Sequence, residues 1–136
     1  MRLILLLLLI IAFPAFAERV TGEIVSITDD DTVVLLVDRQ QMKIRLAEID
    51  TPERGQPWGN KAKQALAEKV FREQVDIDIT DRDRYGRFIG KIWRDDRDIN
   101  KELVAEGHAW VYRQYMTDKT LRKDVAKARE RGVGLW

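Results

Sequence analysis

No cysteine occurs in the 136 residues of this chain. Disulfides, thiol nucleophiles, zinc–thiolate centres and a lipid-modified N-terminal cysteine are thereby excluded, and stability must come from an ordinary apolar core, helped by any bound ion. Histidine is nearly as scarce, with His108 standing alone. A Ser-His-Asp triad would have to pass through it, yet no G-x-S-x-G elbow is present, so a partly buried structural histidine is the expected role. The chain also lacks an EF-hand loop, internal repeats, low-complexity tracts and long linkers. Net charge is missing too. Beyond Arg2 there are 23 basic and 23 acidic residues, so bulk charge announces no polyanionic partner.

The one long apolar run lies at the N-terminus. Arg2 precedes "LILLLLLIIAF", followed by Pro14 and the small-x-small triplet Ala15 to Ala17. A charged n-region, an apolar h-region and such a triplet predict an export signal over residues 1–17, and hence a periplasmic or extracellular protein. The run falls short of the about 20 residues a comfortable membrane span needs, and an uncleaved anchor is the alternative. The remainder, 18–136, is 119 residues long and suits one domain.

Within that remainder charge is uneven. Residues 18–53 hold 4 basic and 9 acidic residues, whereas 113–136 hold 7 basic and 3 acidic. An acidic focus among basic surfaces suits a cation site beside a polyanion.

The front half reads as β structure. "RVTGEIVSI", "TVVLLV" and "MKIRLAEI" are rich in β-branched residues and separated by turn-like "TDDD" and "DRQQ". "VDIDIT" (75–80) alternates strictly, with Val75, Ile77 and Ile79 on one face, and "RFIGKIW" (87–93) follows after "DRDRYG". Three helices are expected. Residues 60–73 carry Ala62, Leu66 and Val70 at helical spacing, and a short helix near 99–106 ends at Gly107. The last runs from about Asp118 to Arg131, with Leu121, Val125 and Ala128 inward, Thr117 or Asp118 as start cap and Gly132 as end cap. Five strands with a helix between the third and fourth describe an α+β fold, a five-stranded OB-type β-barrel with three helices.

Chemistry-bearing residues gather at strand ends and turns. Asp29, Asp30 and Asp31 open the second strand, Arg45, Asp50 and Glu53 lie along or after the third, and Arg84, Tyr85 and Arg87 occupy the turn into the fifth. Asp31 and Asp50, if brought together, offer hard oxygens of the kind Ca²⁺ takes; "TDDDT" also reads as a plain β-turn. Arg45 faces away from Ile44 and Leu46 and presents a planar fork for phosphate, or else an ion pair with a nearby acid. Arg87 carries the same two readings. Glu53 follows a Thr-Pro turn and is either a fixed general base or an exposed loop glutamate. Trp93, Trp110, Tyr112 and Tyr115 are core or rim candidates, and a tyrosine among them could stack on a base.

The set "DDDTVVL", "IRLAEIDTPE", "DRYGR" and "GVGLW" resembles the staphylococcal nuclease (thermonuclease) family over nearly all of residues 18–136, with the motifs in order. That resemblance implies a Ca²⁺-dependent phosphodiesterase on an OB barrel. It would act on single-stranded or denatured DNA and RNA with little sequence preference, as a monomer, leaving 3′-phosphate ends. It further implies that Asp31, Asp50 and the Thr51 carbonyl ligate Ca²⁺ and that Glu53 acts as general base. Arg45 and Arg87 would bind the phosphate, while Arg84, Tyr85 and Tyr115 would contact the nucleotide. The chain departs from the family pattern at Asp30, where glycine is common, in the short loop from Arg54 to Gly59 without a lysine-rich stretch, and at Arg113 where tyrosine is expected. The alternatives are a non-catalytic OB module that binds nucleic acid or protein, and an adaptor domain. Glu53 argues against both, since a binding groove has no use for a general base.

Overall fold

The structure is a computed structural model and describes residues 18–29, 31–52, 56–111 and 118–136. The expected export segment, Asp30, Glu53, Arg54, Tyr112, Arg113, Tyr115 and Thr117 lie outside the described residues.

Among the described residues eight strands and three helices follow in the order β1 (Glu18–Asp29), β2 (Thr32–Val37), β3 (Gln40–Leu46), β4 (Ile49–Asp50), α1 (Gly59–Val70), β5 (Gln74–Arg82), β6 (Phe88–Arg94), β7 (Arg97–Asp98), α2 (Ile99–Ala105), β8 (Trp110–Val111) and α3 (Leu121–Arg131). The main sheet has the order β3-β2-β1-β5-β6-β7, and a further parallel pairing of β3 with β6 closes its five long strands into a barrel. Closure removes the open edges that a five-stranded sheet would otherwise present. The two-residue β4 pairs with β8 as a separate ribbon. The expected α+β barrel with three helices is what forms.

Alternation carries the barrel interior. Ile24, Val33, Leu35, Ile44, Leu46, Val75, Ile77, Ile79 and Ile92 are all buried, and α1 adds Ala62, Leu66 and Val70 from the face that the sequence pattern marks. Helix α2 packs on β6 and α3. Both later helices end in Schellman motifs around a left-handed glycine. The amides of Gly107 and His108 return to the carbonyls of Val104 and Leu103, and those of Gly132 and Val133 to Arg129 and Ala128. Among the described residues no helix is long and apolar enough to cross a membrane.

Helix α1 stops at Val70 rather than 73, where Arg72 turns to a left-handed φ of 60°, and two further boundaries differ from expectation. The third strand breaks after Leu46, because Glu48 adopts a left-handed φ of 65° and re-aims the chain before Ile49. Helix α3 begins at Leu121 rather than Asp118. The Asp118 carboxylate does accept an amide hydrogen bond, but from Thr120 before the helix (3.0 Å), and the Thr120 hydroxyl is engaged by Asp118 and Lys101 rather than by the helix's own amides.

Candidate active site

Pairing register brings the acidic turn and the third strand together. Thr32 stands opposite Arg45 across the β2–β3 ladder, and the Leu46 amide donates to the Asp31 carbonyl at 2.8 Å. Ile44 and Leu46 point into the core, so Arg45 emerges on the outer face, as alternation requires. Its Nη2 lies 3.6 Å from Asp31 Oδ2 and 3.9 Å from Asp50 Oδ1. Two carboxylates that are 19 positions apart in sequence thus converge on one guanidinium. Asp31 is further oriented by the Thr32 hydroxyl (3.0 Å) and Asp50 by the Thr51 amide (3.0 Å). Thr51 itself is buried.

The donors that meet here are chemically uniform: two carboxylates, with no sulfur or imidazole beside them among the described residues. Hard oxygens without sulfur or imidazole fit Ca²⁺ or Mg²⁺ and disfavour zinc or copper. Among the described residues no group of three or more His, Cys, Asp or Glu could hold a metal ion, so a cation here would complete its shell with carbonyls and water.

Arg87 is placed by different means. It enters β6 from the hairpin after β5, where Asp83 organises the turn. Asp83 Oδ1 accepts from the Tyr85 and Arg87 amides, both at 2.9 Å, and Oδ2 accepts from Arg87 Nε at 2.7 Å. Burial works to raise the Asp83 pKa, but the Arg87 and Tyr85 hydrogen bonds outweigh it and hold the carboxyl below its ordinary value. Tyr85 at the tip is 73% exposed. Its ring lies 5.3 Å from the Arg84 guanidinium and 5.8 Å from that of Arg87.

Arg45 and the hairpin meet at one open cleft of about 800 Å³, whose lining includes Arg45, Glu48, Arg84, Tyr85 and Arg87. Asp31, Arg45 and Asp50 are therefore brought together, and Arg84, Tyr85 and Arg87 face the same cleft as Arg45. Glu53 and Tyr115 lie outside the described residues.

A family model described as "Staphylococcal nuclease homologue" matches residues 43–136. The chain belongs to the staphylococcal nuclease family. Protein ParB of Escherichia coli is 42% identical over 142 aligned positions, covering 96% of this chain and 80% of that protein. A micrococcal nuclease of Shigella flexneri is 40% identical, covering 94% and 79%, and an uncharacterised endonuclease of Haemophilus influenzae is 36% identical, covering 99% and 79%. The family match takes in Arg45, Asp50 and the Arg84–Arg87 hairpin; Asp31 precedes it.

Three supporting residues carried no role in the sequence reading. Asn100 is buried, accepts from the Ile92 amide (3.1 Å) and donates to the carbonyls of Ala47 (3.1 Å) and Gly90 (3.3 Å), tying α2 to the turn that follows Arg45. Glu48 accepts from the Asp118 amide at 3.0 Å and links that same turn to the approach of α3. Trp58 donates its indole N–H to Nδ1 of His108 at 2.9 Å. His108 is thus a structural acceptor, and burial first, with Lys69 adding to it and Glu106 and Glu68 opposing, lowers its pKa below 6.5. An asparagine at the start of a short helix gives no sequence signal of burial; only the packing of α2 against the barrel reveals it.

Proposed function

We propose that this chain is an exported, Ca²⁺-dependent nuclease that hydrolyses phosphodiester bonds of single-stranded or denatured DNA and RNA with little sequence preference, leaving 3′-phosphate ends. The observation that carries the reading is the convergence of Asp31 and Asp50 on Arg45 at one end of a cleft that Arg87 also lines.

The chemistry follows from what a phosphodiester resists. Its anionic oxygens repel an incoming nucleophile, and its alkoxide leaves poorly. Arg45 and Arg87 offer planar guanidinium forks to the non-bridging oxygens and to the charge that builds on them in the transition state. Glu53 takes the proton of the attacking water as the new P–O bond forms. The bond from phosphorus to the 5′ oxygen breaks, that oxygen gains a proton, and the phosphate stays on the 3′ oxygen. Asp31, Asp50 and the Thr51 carbonyl are the groups that would hold Ca²⁺, which when bound supplies positive charge to the phosphate. The exposed Tyr85 offers a ring face to the base, with Arg84 beside it.

The test is incubation of the purified protein with denatured DNA in Ca²⁺, in EGTA, and in Ca²⁺ with Glu53→Gln. The expected outcome is rapid cleavage in Ca²⁺ that is largely lost in the other two. A folded protein that binds the DNA without cutting it under any condition would overturn the reading in favour of a binding module.

A further inference from the structure

The cleft is longer than the candidate site needs. Arg87 just before β6, and Ile89, Lys91 and Trp93 within it, follow one another at every second position and all line it, joined from β5 by Asp78 and Thr80. From Arg87 to Trp93 the strand covers six residue steps, about 20 Å. One strand of a stacked duplex advances about 3.4 Å per nucleotide, so even a chain stretched to twice that lays about three nucleotides along this track.

Charge and shape differ between the two ends. The Arg45 end gathers Arg82, Arg84 and Arg87. At the other end Lys91 is held by Asp98 (3.4 Å) and Asp118 (3.9 Å), with Asp78 close by, so its charge is already balanced and offers a phosphate little attraction. What that end offers instead is an aromatic ring. The Trp93 indole N–H donates to Asp78 Oδ2 at 3.1 Å, and Asp78 is itself gripped by Arg19 through two bonds of 2.7 and 3.1 Å. The ring is therefore oriented before any ligand arrives, which removes much of the ordering cost of stacking. Lys91 Nζ lies over the ring at 5.8 Å from its centroid, adding a cation–π contact that further fixes the indole.

We propose that the Trp93 end of the cleft is a second-nucleotide subsite, where a base of the single-stranded substrate, displaced along β6 from the scissile phosphate, stacks on the indole. The proposal rests on the nuclease reading for its substrate class. It makes the enzyme sensitive to chain length, favouring strands that reach both ends over minimal dinucleotides.

The experiment compares wild type, Trp93→Phe and Trp93→Ala on a thymidine dinucleotide and on a thymidine decamer. Binding of a fluorescein-labelled decamer in EGTA is followed by anisotropy alongside. Trp93→Ala is expected to lose about tenfold more kcat/KM on the decamer than on the dinucleotide, through KM, with Trp93→Phe retaining most of the preference. An equal loss on both substrates means that Trp93 only supports the fold, and no loss on either means that the ring is idle; each overturns the subsite. Should wild type bind the decamer yet cut neither substrate, the nuclease reading falls and anisotropy alone decides. Affinity about tenfold weaker in Trp93→Ala than in Trp93→Phe supports the subsite, and equal affinity overturns it. Failure of wild type to bind the decamer overturns it as well.

Discussion

The two arginines proposed to meet the phosphate are held in opposite ways. Arg45 is placed by long-range pairing: β2 and β6 flank its strand, Asp31 arrives from the turn before β2, and Asn100 braces the chain immediately after it from a helix more than fifty residues on. Arg87 is placed by its own neighbourhood, through an i, i+4 carboxylate that caps the hairpin and grips the guanidinium at 2.7 Å. A group fixed by tertiary register is as precise as the barrel is stable. A group fixed by a local turn keeps its geometry while the turn survives. The rim should therefore respond to changes deep in the fold, and the hairpin only to changes within itself.

The largest expected effect removes the groups themselves. Arg45→Ala and Arg87→Ala should each lower kcat by about 10²–10³, the usual consequence of deleting one preorganised donor to transition-state charge. Single-turnover kinetics on denatured DNA would read it, and a loss below tenfold would withdraw that arginine from the transition state. Asn100→Leu should come next, because it takes their Asn100 partner from the Ile92 amide and the Ala47 carbonyl in the interior, while the Gly90 carbonyl still accepts from the Ala47 amide. It should cost about 3 kcal/mol in urea denaturation, with hydrogen exchange rising near residues 46–50 and not at the hairpin. Equal exchange at both places would break the comparison. Asp83→Asn keeps an oxygen for the turn amides but loses the charge beside Arg87. It should lower activity about tenfold, the worth of one charge-assisted hydrogen bond, with little change in thermal midpoint. Combined, the Asn100 and Asp83 changes should add, since they share no partner.

The smallest effect concerns pH. The folded His108 binds a proton less readily than its unfolded counterpart, since burial depresses its pKa. Its stabilisation is complete above the ordinary value of 6.5 and is lost as the pH falls through the lower folded value. Below pH 6.5 wild type should thus lose thermal stability more steeply than His108→Gln. Parallel curves would remove His108 from the account.

Much of the fold was legible because its signals are local and periodic. Val75, Ile77 and Ile79 alternate, Ala62, Leu66 and Val70 recur at helical spacing, and all six are buried. Gly107 and Gly132 sit past helix ends and adopt the left-handed conformation expected there. Arg45 was readable as outward-facing from Ile44 and Leu46 alone. Less legible was the break at Glu48, since a glutamate gives no warning of a positive φ, and the delayed start of α3, where Asp118 and Thr120 bond each other.

Periodicity and turn chemistry need only neighbours within a few residues, and they set the strands, the helices, the outward face of Arg45 and the candidate acids at strand ends. Tertiary structure alone decided that Asp31 and Asp50 meet over one guanidinium, that Asn100 secures the turn between them, and that Trp93 shares a cleft with Arg87. Those outcomes depend on ladder register and on the parallel closure of β3 with β6, which are set by how the whole apolar face packs rather than by any short stretch of chain.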